Sequence, residues 1–103
     1  MSEFLHIGRT SDFPAGAGKM VVVNTRHVAV FRVGDEFHAL DNLCLHRGGP
    51  LCGGAVKDGV VTCPWHGWSF ELRTGTMVQD PRVGVSCHEV RITGDEVSVR
   101  LTD

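Results

Sequence analysis

Apolar residues in this chain gather in short runs, broken every few positions by glycine, aspartate or asparagine, and no run carries a convincing helical period. Phe4 to Gly8 reads as an edge strand, followed by a loop at Ser11-Asp12-Phe13-Pro14-Ala15-Gly16. Met20-Val21-Val22-Val23 leads through a turn at Asn24-Thr25 into a second run, His27 to Val33. Gly34-Asp35 separates that run from Glu36-Phe37-His38-Ala39-Leu40, and a two-residue Gly-Asp break between β-rich runs predicts a type II′ hairpin. The same device recurs at Gly94-Asp95, between Val90-Arg91-Ile92-Thr93 and the run from Glu96 to Leu101. There Val97, Val99 and Leu101 alternate with polar neighbours, which predicts a strand with one wet face. In the middle, Leu51 to Val56 runs outward, Lys57-Asp58-Gly59 supplies turn chemistry and Val60-Val61-Thr62 returns. The two arms are unequal, so Gly48 to Gly54 is expected to be partly loop. Ser69 to Leu72 continues as a strand to a turn at Thr74-Gly75, and Asp80-Pro81-Arg82 forms a further loop. The predicted fold is all-β, built from short antiparallel strands.

Size and charge narrow this picture without changing it. A length of 103 residues predicts a single domain over 1–103, able to bury about two-thirds of its unfolded surface. The net charge is −2, from ten basic and twelve acidic residues that are interspersed. Nothing in that distribution would recruit nucleic acid or a membrane surface. The start, Met1 to His6, has neither the basic segment nor the apolar run of a signal peptide. No stretch nears the roughly 18 apolar residues of a membrane span. The cytoplasm is the expected compartment, where Cys52 and Cys87 are expected to be free thiols used for packing and not a disulfide.

The chemistry is concentrated between Cys44 and His66. Cys44-Leu45-His46 is followed, after sixteen residues, by Cys63-Pro64-Trp65-His66. Each of the two loops therefore supplies one thiol and one imidazole, both good ligands for iron or zinc. Gly48 and Gly49 follow the first pair and Gly67 the second, where the backbone must turn tightly. A Cys-x-His pair is tighter than the usual zinc spacings. A four-cysteine iron–sulfur site is excluded, because Cys52 and Cys87 lie in neither loop. Mixed pairs suit a two-iron cluster, with both thiolates on one iron and both imidazoles on the other. A mononuclear zinc site on the same four residues is the alternative.

Cys44-x-His46 with Cys63-x-x-His66 resembles the Rieske family, and Cys63-Pro64-Trp65-His66-Gly67 is close to its second ligand box. The resemblance extends from about Leu40 to Val90, roughly half the chain. It implies a Rieske-like antiparallel β-sandwich with the cluster-binding loops at one tip. It also implies a [2Fe–2S] cluster held by Cys44, His46, Cys63 and His66. Pro81 resembles the proline of the third loop that covers the cluster in this family. High-potential members carry a serine hydroxyl and a tyrosine hydroxyl where Trp68 and Phe70 stand here, and a disulfide at the positions of Gly49 and Trp65. All four features are missing, so the resemblance implies a centre near the lower end of a range of about −150 to +300 mV. Ligation needs deprotonated thiolates and neutral imidazoles, which couples assembly to pH and to folding.

The remaining candidates have plainer readings. His6, His27, His38 and His88 fall within strand-like runs, as surface or interstrand side chains. Trp65 and Trp68 either shield the cluster or join Leu45, Pro50 and Leu51 in an apolar rim where a redox partner docks. Arg47 and Arg82 are candidates for steering an acidic partner. The chain holds no Gly-x-Gly-x-x-Gly dinucleotide fingerprint and suggests no iron triad of two histidines and a carboxylate. It is accordingly identified as an electron carrier and not a complete enzyme. The resemblance implies a soluble Rieske-type ferredoxin passing electrons from a reductase to a terminal oxygenase. The small subunit of assimilatory NAD(P)H nitrite reductase is similar too, through Gly48-Gly49-Pro50-Leu51, His66 to Phe70 and Leu72-Arg73-Thr74-Gly75. A structural zinc module without redox role is the alternative of a different class.

Overall fold

The computed structural model describes residues 3–42, 51–63 and 67–102. Among them are nine strands: β1 (Leu5–Arg9), β2 (Ala17–Val23), β3 (Arg26–Val33), β4 (Glu36–Asp41), β5 (Ala55–Lys57), β6 (Val60–Thr62), β7 (Ser69–Glu71), β8 (Cys87–Thr93) and β9 (Glu96–Arg100). Six of these form one sheet in the order β1-β9-β8-β4-β3-β2, and three form a second in the order β5-β6-β7. Every strand pairing is antiparallel, so the expected all-β antiparallel architecture is what the chain adopts. The only helical pieces among the described residues are the 3-10 turns Thr10–Asp12 and Leu51–Gly53.

The turns explain the register. Gly34 and Gly94 take φ of 61° and 64°, while Asp35 and Asp95 stay outside the left-handed region. One positive φ at the first central position is the type II′ pattern. Asn24 and Thr25, at φ 49° and 69°, and Asp58 and Gly59, at 53° and 77°, instead take positive φ at both central positions, the type I′ pattern. Both primed turns match the right-handed twist of the strands they join.

Alternation along β3 sends its side chains into two separate cores. Ala29 and Phe31 join Leu40, Leu51, Val61, Cys63, Phe70, Leu72, Met77 and Val85 between the two sheets. Val28 and Val30 join Phe13, Val23, Ala39, Val97 and Val99 on the opposite face. For β9 to reach β3 across that second core, the larger sheet must curl. Its two edge strands accordingly approach each other, with Leu5 to Ile7 of β1 and Val21 to Asn24 lining one shared cleft. Ile7 is an unpaired bulge residue between the His6 and Gly8 pairs, which bends the β1 edge in this way.

Two strands begin three residues earlier than their sequence predicts. β2 extends back to Ala17 through Gly18, where an added Cβ would lie 2.5 Å from the Phe31 ring and 2.7 Å from the Cys52 carbonyl oxygen. A glycine of low strand propensity is there because nothing larger fits. β8 starts at Cys87 because Cys87 and His88 pair with Leu40 and Ala39 of β4, although their polarity hides the strand from an apolar pattern. Val97 and Val99 of β9 are buried while Glu96 is exposed, which gives the wet face expected of that strand.

Candidate metal centre

Of the four expected ligands, Cys63 lies within the described residues, whereas Cys44, His46 and His66 lie outside them. So do Leu45, Arg47, Gly48, Gly49, Pro50 and Trp65. Cys63 follows directly on β6 and is 1% exposed, packed in the core between the sheets. A thiol carried on a strand end into an apolar core suits a buried thiolate ligand, since the surroundings exclude water.

The described residues show how the bases of both loops are built. Asn42 continues the β3–β4 ladder, its N–H donating to the His27 carbonyl at 2.9 Å. Its own carbonyl accepts the Leu51 N–H at 2.8 Å, and its side-chain Oδ1 accepts the Cys52 N–H at 2.9 Å. The chain therefore leaves and re-enters the scaffold at one residue, on either side of Cys44 and His46. At the second loop the Cys63 N–H donates to the Trp68 carbonyl at 2.7 Å, and Gly67 takes a φ of 72°. Glycine is needed at Gly67 for that backbone angle. The Gln79 side chain braces the exit, accepting from the Ser69 N–H at 3.0 Å and donating to the Gly67 carbonyl at 3.4 Å. The two bases share the core between the sheets, which takes in Leu51 and Cys63 and against which the half-buried Trp68 packs. Trp68 thus packs inward against that core.

A charged lattice stands beside the first loop. Asp41 accepts from Arg26 Nη2 at 3.0 and 3.3 Å and lies 2.8 Å from His88 Nε2. His88 Nδ1 accepts the Thr102 N–H at 3.0 Å, so the proton of the neutral ring sits on Nε2 and points at Asp41. Of the four histidines expected at surface or interstrand positions, His88 is buried at 3% exposure, His38 is half-buried, and His6 and His27 are exposed.

Beyond the second loop, Asp80 and Arg82 form a two-point ion pair at 2.9 and 3.1 Å. The guanidinium holds the Asp80 carboxyl below its ordinary range, and the carboxylate raises Arg82 in turn. As a steering charge, Arg82 is therefore largely compensated by its own neighbour. Pro81, between them, is exposed. Cys52 and Cys87 are free thiols packed against the core between the sheets. A cleft of about 730 Å³ is lined by Asp35, Glu36, Asp58 and Glu71 together with His38 and Arg73. It opens at the turn end of the β5–β6 hairpin, away from Cys63.

The profile of the Rieske [2Fe-2S] domain matches residues 3–95. The chain belongs to the Rieske [2Fe–2S] family. The match reaches well beyond the Leu40 to Val90 stretch that carries the motif, and with it the zinc alternative falls away: the cofactor of this domain is a [2Fe–2S] cluster. The anthranilate 1,2-dioxygenase ferredoxin subunit of Burkholderia cepacia is 32% identical over 98% of this chain and 94% of its own length. A chain from the complex of reduced oxygenase and oxidized ferredoxin in carbazole 1,9a-dioxygenase superposes with a TM-score of 0.83 at 34% identity, over 93% of this chain and 91% of its own. A candidate NADH-dependent nitrite reductase small subunit of Mycobacterium tuberculosis superposes with a TM-score of 0.92 at 25% identity, over 100% and 98% of the two chains. This Rieske domain also spans 15% of the length of larger relatives, so the same module occurs within longer chains. Among the described residues no helix is long and apolar enough to cross a membrane.

Sequence reasoning missed Asn42, Gln79 and the His88–Thr102 contact. Each acts between residues ten or more positions apart, and no local pattern signals such a bond.

Proposed function

We propose that this Rieske domain is the ferredoxin component of a ring-hydroxylating dioxygenase or multicomponent monooxygenase system. It carries single electrons from a reductase to a terminal oxygenase in the cytoplasm and performs no substrate chemistry of its own. The observation that carries this reading is that the bases of both loops share one core, in which Cys63 is buried. Cys44 and Cys63 would hold the cluster as thiolates, and His46 and His66 as neutral imidazoles. When bound, the cluster supplies a one-electron donor and acceptor. The chain's own part is to keep the thiolates dry, to orient the imidazoles and to offer a surface to each partner. The likeness to the anthranilate dioxygenase ferredoxin subunit, end to end in both chains, supports the oxygenase branch. A second reading, the small subunit of an NAD(P)H nitrite reductase, is favoured by the close superposition on the mycobacterial chain.

Purified protein tests the ligand set. It should be red-brown, hold two irons and two sulfides per chain, and give a rhombic electron paramagnetic resonance signal after reduction. His46→Ala should abolish or shift that signal, and an unchanged spectrum removes the assignment. Affinity capture from the native host distinguishes the branches: a terminal oxygenase supports the first and a sirohaem nitrite reductase the second.

A further inference from the structure

We propose that the segment after β9, residues 101–102, is a strap that a proton on His88 Nδ1 releases. Its polar hold on the larger sheet passes through Thr102, and one of the bonds exists only while that nitrogen is bare.

Every polar group of Thr102 is bonded to that sheet. Its carbonyl accepts from Arg26 Nη1 of β3 at 3.0 Å, and its hydroxyl donates to the Cys87 carbonyl of β8 at 2.6 Å. Its N–H donates to His88 Nδ1 at 3.0 Å. Leu101 beside it packs on the second core, and neither residue belongs to a strand. Two of the three bonds are indifferent to pH near neutrality, since a guanidinium stays charged and a carbonyl stays an acceptor. The imidazole is not. Histidine changes charge between about pH 5 and pH 8, and a protonated Nδ1 is a donor facing a second donor.

The other side of the ring accommodates the proton. Nε2 donates to Asp41 Oδ1 at 2.8 Å, and that bond persists as an ion pair when the ring is cationic. Among the described residues, Asp41 of β4 is the anion the ring faces, and Arg26 of β3 is the cation that shares it. On β8 itself, the Cys87 thiol turns to the Arg73 carbonyl and Glu89 pairs with Arg100 of β9. The His88 side chain is fully buried, so release precedes protonation. The strap lifts, solvent gives the bared Nδ1 a proton, and the imidazolium cannot take the Thr102 N–H back. The Thr102 hydroxyl oxygen lies 3.3 Å from Nδ1, too long to make good the loss. A lifted strap uncovers His88 and the part of the second core that Leu101 covers.

Hydrogen exchange of the Thr102 amide in the holoprotein tests this, read by mass spectrometry of fragments spanning β9 and the strap and corrected for the intrinsic effect of pH. Between about pH 8 and about pH 5 its protection should fall roughly tenfold, while the amides of the β2–β3 ladder keep theirs. His88→Asn sets a carboxamide oxygen near the place of Nδ1, an acceptor that does not titrate, and should make the protection independent of pH. Constant protection in the unsubstituted protein overturns the proposal. So does an equal fall in His88→Asn, or a fall shared by the β2–β3 amides. If His88→Asn does not fold, nitrogen resonance of His88 in the unsubstituted protein decides. Protonation of Nδ1 over the interval of release supports the strap, and an Nδ1 that stays bare while the strap loosens overturns it.

Discussion

Single side chains in this domain owe their chemistry to what surrounds them. Cys87 is half-buried, its thiol donates to the Arg73 carbonyl at 3.2 Å, and burial raises its pKa from an ordinary 9.0. The unfolded thiol therefore loses its proton before the folded one does. Stability linked to Cys87 is fully present below pH 9.0 and falls as pH rises through the raised value. Cys87 should accordingly resist alkylation at neutral pH in the folded protein and react quickly once the chain is denatured. Mass spectrometry after timed labelling checks this, and equal rates in both states would contradict it. Phe70 shows the same dependence on surroundings: it is fully buried in the core between the sheets, where an apolar ring packs with no hydroxyl to satisfy.

At the scale of elements, close approach between backbones is what seats the turn Leu51–Gly53 on the β5–β6 hairpin. Gly54 stands where the chain leaves the turn Leu51–Gly53 and enters β5, and an added Cβ would lie 2.4 Å from the Thr62 carbonyl oxygen and 2.8 Å from Val61 Cγ2. The carbonyl belongs to a paired strand and cannot swing aside. Gly54→Ala should therefore cost about 2 kcal/mol and lower the unfolding midpoint by roughly 10 °C. Gly53→Ala, with nothing within 4 Å of its added Cβ among the described residues, is the matched control and should change stability little. Differential scanning calorimetry of the two variants reads the difference, and equal midpoints would remove the close-approach argument.

Across the whole molecule, the Asp41 lattice ties distant segments together. Arg26 comes from β3, Asp41 from β4 and His88 from β8, and Thr102 lies beyond β9. Arg26 Nη1 also donates to the Thr102 carbonyl at 3.0 Å. The Thr102 hydroxyl in turn donates to the Cys87 carbonyl at 2.6 Å. The His88 side chain is fully buried, while Asp41 is 31% exposed and partly screened. Removing the imidazole strands the Thr102 N–H but leaves Asp41 its arginine and some water. His88→Ala should thus destabilise the fold by about 2 kcal/mol, measured by denaturant unfolding. A variant as stable as the original would mean that the lattice adds nothing beyond packing.

From its sequence alone, the chain's strands, its Gly34-Asp35 and Gly94-Asp95 hairpins and its family could be read, because each is written in neighbouring residues. Alternation at period two, a glycine at the first turn position and the spacings Cys44-x-His46 and Cys63-x-x-His66 are local signals. Tertiary structure alone decided the curl of the larger sheet and the early start of β8. It also decided the burial of His88 and the bond from the Cys52 N–H to the Asn42 side chain. Those features depend on hydrogen bonds and contacts between segments far apart in the chain, and such partners are chosen only when the two cores form.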